Sequence, residues 1–285
     1  MLPLSSYERI LVLSPHFDDA VLSCWSVIQD FGEAVDVVTM CGGAPDDGLS
    51  DWDDTCGFSS GGEAAAARRN EEARALAGRV GSFRCLPILE AAYSGGEGSG
   101  ERRAILRDCL TGWVEAHADR SRLLVLLPAG AGLNAADPAA APGKPKGRGG
   151  DGLAWARSLK HRLYLRRTAS LRATGLLSHS DHRAARNLAL DVLWGSGRAD
   201  VALYEELPYL WSQPADRAVL AVSRRLGAEA LAAERPVDTA RKAEALASYA
   251  SQLGPLDPAG RLIGPAHLPA RERFWLLTRA SSRGG

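Results

Sequence analysis

The sequence predicts an α/β fold, a doubly wound and mostly parallel sheet with helices on both faces, Rossmann-like in layout. Short, nearly continuous apolar runs recur at 9–14, 34–41, 83–89, 123–127 and 200–204, as expected of strands buried on both faces. The segments between most of them read as helices, and such alternation implies right-handed crossovers between parallel strands. The chain has 285 residues and is 46% hydrophobic, enough to bury a substantial core in one domain spanning 1–285.

The elements follow in order. Arg9-Ile10-Leu11-Val12-Leu13-Ser14 is the first strand, ending at a Pro-His-Phe-Asp-Asp turn. Residues 19–31 predict one helix with Val21, Leu22, Trp25 and Ile28 on its apolar face. The strand 34–41 precedes a loop of roughly twenty residues carrying Asp46, Asp47, Asp51, Asp53 and Asp54. An Ala-, Arg- and Glu-rich helix is expected over 63–79, then a strand over 83–89, a helix over 101–118 and a strand over 123–127. Residues 128–152 are rich in Gly, Pro and Ala and read as a long loop. A helix over 181–194, a strand over 200–204 and a helix over 239–252 complete the pattern.

Lys plus Arg and Asp plus Glu both number 34, so the formal net charge is zero. A generally basic nucleic-acid binder is thereby disfavoured. The five cysteines, Cys24, Cys41, Cys56, Cys85 and Cys109, are odd in number and form no C-x-x-C, which argues against a disulfide framework or a cysteine zinc knuckle. The first residues lack a basic n-region with a long apolar run, and no uncharged stretch approaches the roughly 18 residues of a membrane span. The expected location is cytoplasmic, with no membrane span and no nucleic-acid partner. Oligomeric state is not specified by the sequence.

Chemistry concentrates where a strand turns into a helix. Ser14-Pro15-His16-Phe17-Asp18-Asp19 puts an imidazole and two carboxylates beyond the carboxyl end of the first strand, where open α/β sheets bind ligands. His16 and Asp19, three apart, can be turned onto one ion, while Asp18 points elsewhere, close enough to take a proton from a water at that ion. A third ligand is expected from another junction, and His179-Ser180-Asp181-His182 directly precedes a predicted helix. Either segment alone reads equally well as a helix cap with a satisfied histidine. The two together point to a metal site.

On these residues the chain resembles the PIG-L (LmbE-like) family of zinc-dependent N-deacetylases. Pro15 to Asp19 matches the family's opening His-x-Asp-Asp motif, and His179 to His182 matches its His-x-Asp-His motif. Further similar stretches are Ser50 to Asp53 with Cys56-Gly57-Phe58, Arg68 to Glu72, Tyr204 to Tyr209, Lys242 with Tyr249 and Ser251-Gln252, and Glu272 to Trp275. The resemblance runs from about residue 8 to 278 and implies an LmbE-like deacetylase fold. It implies one catalytic Zn2+ held by His16, Asp19 and His182. It also implies Asp18 as general base, and a protonated His179 stabilising the oxyanion, oriented by Asp181. Water activated at the metal would attack an acetamide carbonyl, and either Asp18 or His179 would protonate the leaving amine. A sugar-contacting arginine of the 63–79 helix falls at Arg69, with Arg68 the neighbouring register.

Two positions depart from the family pattern. Ala20 stands where many members have Glu, and Leu177 stands where some have Tyr. Residues 133–177 form a basic Gly- and Pro-rich insertion with nine cations against two acids. It separates Pro128-Ala129-Gly130 from the second motif and is expected to border the substrate entrance as a lid or wall. The function expected is removal of N-acetyl from an amino-sugar-containing small molecule or glycoconjugate, such as a natural-product intermediate, with an anionic group on the substrate as one option that the basic insertion suggests. The alternatives are an amidase acting on a larger acyl or thiol-conjugate amide, and a catalytically silent metal-containing binding protein.

Overall fold

The structure, a computed structural model, describes residues 4–94, 100–130 and 178–279. The insertion 133–177 and Leu177 lie outside the described residues. Seven strands form one sheet: β1 (Arg9–Ser14), β2 (Val35–Thr39), β3 (Ser82–Cys85), β4 (Leu123–Pro128), β5 (Asp200–Tyr204), β6 (Ala228–Pro236) and β7 (Arg271–Arg279), in the order β3-β2-β1-β4-β5-β7-β6. The first five run parallel, while β7 is antiparallel to both β5 and β6.

The helices are α1 (Asp19–Ser23), α2 (Trp25–Phe31), α3 (Asp51–Thr55), α4 (Gly61–Leu76), α5 (Ala91–Ser94), α6 (Gly100–Ala116), α7 (Ser180–Leu193), α8 (Asp216–Leu226), α9 (Thr239–Leu246) and α10 (Ala250–Leu256). Period-two alternation in the central strands feeds two cores. Ile10, Val12, Leu124 and Leu126 pack with α1, α2, α4, α9 and α10. Leu11, Leu13, Val125 and Leu127 pack with α6, α7 and α8 on the opposite face. Past its first residue, such a strand is therefore buried throughout, which accounts for the unbroken apolar runs. No helix of the described residues is long and apolar enough to cross a membrane.

The structure departs from the sequence expectation in four places. The helix expected over 19–31 is two helices that part at Cys24. Its freed backbone groups are claimed by buried charge from the C-terminal region. Glu272 accepts from the Trp25 and Ser26 backbone N–H groups at 3.0 and 2.7 Å. Lys242 donates to the Leu22 carbonyl at 2.6 Å and to Glu272 at 2.7 Å. The helix expected over 239–252 also divides, into α9 and α10. Inside the acidic loop, Ser50 accepts from the Asp53 N–H at 3.1 Å and starts α3. Finally, β6, β7 and α8 lie outside the sequence expectation, although Phe274 to Leu277 is an apolar run in β7 and Ala218, Val219 and Val222 share the buried face of α8. The Ala- and Glu-rich β6 favours helix by propensity, yet pairs with β7 from Ala228↔Arg279 to Pro236↔Arg271.

A second buried knot joins α4 to the sheet and to the turn before α10. The Glu72 carboxylate accepts from the Thr39 hydroxyl at 3.1 Å and from the Tyr249 hydroxyl at 2.5 Å. Burial pushes its pKa up to about 7 against both of these hydrogen bonds. The chain leaves β1 toward β2 on one side and reaches β4 on the other. The carboxyl end of β1 thus lies at the topological switch point, where such sheets bind ligands.

Two stability measurements follow. Lys242→Ala strands a buried Glu272 carboxylate and should cost about 3–5 kcal/mol in denaturant unfolding. Arg107→Ala, which breaks only an exposed pair with Asp108, should stay within about 0.5 kcal/mol. Glu72 holds its proton in the folded chain to higher pH than in the unfolded chain. Its contribution is therefore full below pH about 4.5 and is lost as pH rises through about 7. Glu72→Gln should flatten stability across that window, removing a loss of roughly 3 kcal/mol.

Candidate metal centre

The turn after β1 is built by short-range hydrogen bonds. The Ser14 hydroxyl donates to the His16 carbonyl at 2.7 Å and accepts from the Ala20 N–H at 3.0 Å. The His16 backbone N–H donates to Asp19 Oδ2 at 2.9 Å. This fold-back brings the His16 ring and the Asp19 carboxylate onto one spot, 3.4 Å apart at Nδ1 and Oδ2. The second motif sits at the start of α7, where His179 is the N-cap and its Nδ1 accepts from the Asp181 N–H at 3.2 Å. One turn into the helix, His182 places Nε2 3.2 Å from His16 Nδ1 and 3.4 Å from Asp19 Oδ2.

These three atoms form a triangle with edges of 3.2 to 3.4 Å. Tetrahedral ligands at zinc bond lengths of ~2.0–2.1 Å stand about 3.3 Å apart, so the donor set fits a divalent metal of that kind. The far nitrogen of each imidazole is held by a buried carboxylate. His16 Nε2 lies 3.3 Å from Asp181 Oδ2, and His182 Nδ1 lies 3.1 Å from Glu206 Oε1. Each carboxylate keeps a proton on the nitrogen it faces, leaving the lone pair of the other nitrogen toward the triangle.

Two looser groups also bring donor atoms within 4.8 Å of one another, His16 with His179 and His182, and His16 with Cys41 and Asp181. In the first, His179 Nδ1 is already an acceptor for backbone. In the second, Asp181 is committed to Arg102 at 3.0 Å and to the Ala91 N–H. Burial, followed by the nearby Asp181 charge, also holds the Cys41 thiol protonated, well above its ordinary pKa. Of the three groups, the tight triangle has donor spacings nearest those of a tetrahedral divalent metal.

The electrostatics favour positive charge at the triangle. Burial opposes ionisation of His16, but hydrogen bonds to Asp181 and Asp19 outweigh it and raise the imidazole well above its ordinary pKa. Burial likewise opposes the Asp19 charge, and His182 and His16 reverse that, leaving its pKa lowered. Asp18 is different. Burial and then Asp19 push its carboxyl well up, against His16. It stands at the N-cap position of α1 yet makes no capping hydrogen bond, and it lines the cavity over the triangle.

That cavity has a volume of about 510 Å3. His16, Asp18, Asp19, His179 and Asp181 line its polar floor, and Leu22, Leu49, Trp52 and Leu256 give it an apolar wall. Glu90 and Tyr209 also line it. The Tyr209 ring lies 26° from parallel with His179 and edge-on to His182.

The structure places three of the expected site residues as follows. The Asp181 carboxylate braces His16 through Nε2, and its backbone N–H holds His179 at Nδ1. His179 was expected to be protonated. Burial, then the charges of His16 and His182, push its pKa down to about 3, and its Nδ1 accepts from backbone, so the neutral ring carries its proton on Nε2. Arg69 does not line this cavity. It donates to the Gly42 carbonyl at 2.8 Å and borders a separate hollow beside Phe83. Its neighbour Arg68 turns inward, pairing with Asp53 at 2.6 Å and lying 3.6 Å from Glu90. Glu206 and Glu90 were not singled out from sequence as site residues. The acidic Glu205-Glu206 pair directly after β5 was the available signal for the first.

No protein-family model and no curated protein matches the chain. Among solved structures, it is similar to the A40926 pseudoaglycone deacetylase Dbv21, with 23% identity, a TM-score of 0.56, and coverage of 97% of this chain and 99% of that one. It is similar to the zinc-inhibited form of teicoplanin deacetylase Orf2, with 21% identity, a TM-score of 0.59, and coverage of 96% and 99%. A deacetylase–teicoplanin complex from the teicoplanin biosynthesis pathway matches with 22% identity, a TM-score of 0.57 and the same coverage. Over almost its whole length, the chain has the α/β fold of these deacetylases.

Proposed function

We propose that the chain is a zinc-dependent N-deacetylase of the PIG-L (LmbE-like) family, acting on an amino-sugar-containing small molecule or glycoconjugate. The observation that carries this reading is the triangle of His16, Asp19 and His182 beneath a cavity that Asp18 also lines. A structural metal site has no need of an added carboxylate at its open side. Shared fold with deacetylases of glycopeptide antibiotics supports the same class of substrate.

His16 Nδ1, Asp19 Oδ2 and His182 Nε2 would hold the metal. Zinc bound there supplies a Lewis acid for the amide carbonyl and lowers the pKa of water. Asp18 takes the proton from the attacking water, a role suited to a buried carboxyl whose proton affinity is raised. Neutral His179 donates its Nε2–H to the developing oxyanion, a contact worth roughly 3–4 kcal/mol in comparable sites. Asp181 and Glu206 hold the ligand rings. The proton on Asp18 is then available to the leaving amine.

The cavity is large enough for a sugar with an attached group. The polar contacts for the substrate come from Arg68 through Glu90, and from Gln252. The Gln252 side chain lines the cavity, is 4% exposed, and has no hydrogen-bond partner for its Nε2. A buried donor of this kind favours a substrate oxygen.

The test is release of free amine from a panel of N-acetylated amino sugars and glycoconjugates. Chelator should abolish it and zinc should restore it. Asp18→Ala should lower kcat by at least about 100-fold while zinc content stays at one ion per chain. Undiminished turnover in that variant would show the base assignment to be wrong. Arg68→Ala should raise KM or lower kcat by about tenfold or more, since it strips Glu90 and Asp53 of their buried partner, whereas Arg69→Ala should stay within about threefold of the parent.

A further inference from the structure

Glu206 joins three chain segments that are distant in sequence. It follows β5 directly, and its side chain is buried. Its Oε1 faces His182 Nδ1 at 3.1 Å on α7. Both of its oxygens also accept from the Gly130 N–H just beyond β4, at 2.9 and 3.0 Å. Gly130 has φ +68°, and a Cβ there would lie 2.9 Å from Arg186 Nη1, so only glycine presents its N–H here without strain. Arg186 in turn runs from α7 to the Ala129 carbonyl.

We infer that Glu206 is a positioning residue that sets the third metal ligand. Gly130 beyond β4 and His182 on α7 are distant in sequence, and Glu206 joins the two. It ties the end of β4 to the far nitrogen of His182, so that Nε2 arrives bare and within 3.4 Å of both ligands from the β1 turn. A glutamine cannot reproduce this. Both neighbours are donors, and its amide nitrogen must then oppose one of them. The inference rests on the metal assignment of the preceding section.

The test is zinc affinity, read by competition with a chromophoric chelator on the full-length protein. Glu206→Gln should bind zinc about 10–100-fold more weakly with an unchanged far-UV spectrum. Asp36→Asn is the control. It alters a buried carboxylate elsewhere on the sheet, held by Trp113 and Ser82 at 2.9 and 2.6 Å. It should lose stability but keep zinc affinity. Equal affinity in parent and Glu206→Gln overturns the role of Glu206 alone, whereas a parent that takes up no zinc overturns the metal assignment and this inference with it. A second readout needs no variant: histidine nitrogen NMR of the parent should find His182 protonated at Nδ1 and bare at Nε2. The reverse tautomer also overturns the inference.

Discussion

The centre depends on two buried carboxylate–imidazole pairs. An unconstrained histidine offers either nitrogen and turns freely about two side-chain bonds. Asp181 beside His16 and Glu206 beside His182 remove that freedom, and each leaves a single lone pair facing the same point. Both carboxylates are themselves anchored. Asp181 holds Arg102 and the Ala91 N–H, and Glu206 holds the Gly130 N–H. The ligand geometry is thereby tied to the sheet and to helix starts rather than to side-chain preference. A site preorganised in this way spends little binding energy on ordering its ligands.

A similar use of buried charge supports the helix that carries Asp19. Helices α1 and α2 part at Cys24, which would leave backbone donors and a backbone acceptor unpaired in the core. Lys242 and Glu272 meet those needs from α9 and β7. Charge this deeply buried is tolerable only when fully paired. The C-terminal region, remote from the ligands in sequence, is for this reason part of what keeps the β1 turn in place. Glu72 makes the corresponding link from α4 to β2 and Tyr249.

Protonation states in the cavity divide by environment. Asp18 and Asp19 are adjacent in sequence, yet Asp19 lies against two histidines and is held as an anion, while Asp18, buried and next to that anion, is driven toward protonation. His179 lies against two other imidazoles and is driven toward neutrality. One site therefore offers a carboxylate held as an anion, a proton acceptor of raised affinity and a neutral donor, the set that the proposed amide hydrolysis would use.

The central parallel strands were legible because burial on both faces makes them almost wholly apolar, as in Ile10–Leu13 of β1 and Leu123–Pro128. The identities of His16, Asp18, Asp19, His179 and His182 were legible too, because they crowd at strand-to-helix junctions. What partners each takes was not legible. Asp181 meets His16 through its carboxylate and His179 through its backbone N–H, Arg69 turns to the Gly42 carbonyl, and the Glu205-Glu206 pair does not say by itself that Glu206 faces His182. The helix over 19–31 looked continuous because its break is made by Glu272 and Lys242, more than 200 residues away. The edge strand β6 gave no expectation because its composition favours helix and only its pairing with β7 decides its state. Sequence alone determined the sheet class and the chemical inventory, since burial and junction position write themselves into local pattern. Tertiary structure decided which nitrogen, carboxylate and arginine face one another, since those choices are made by contacts between segments that the chain order keeps apart.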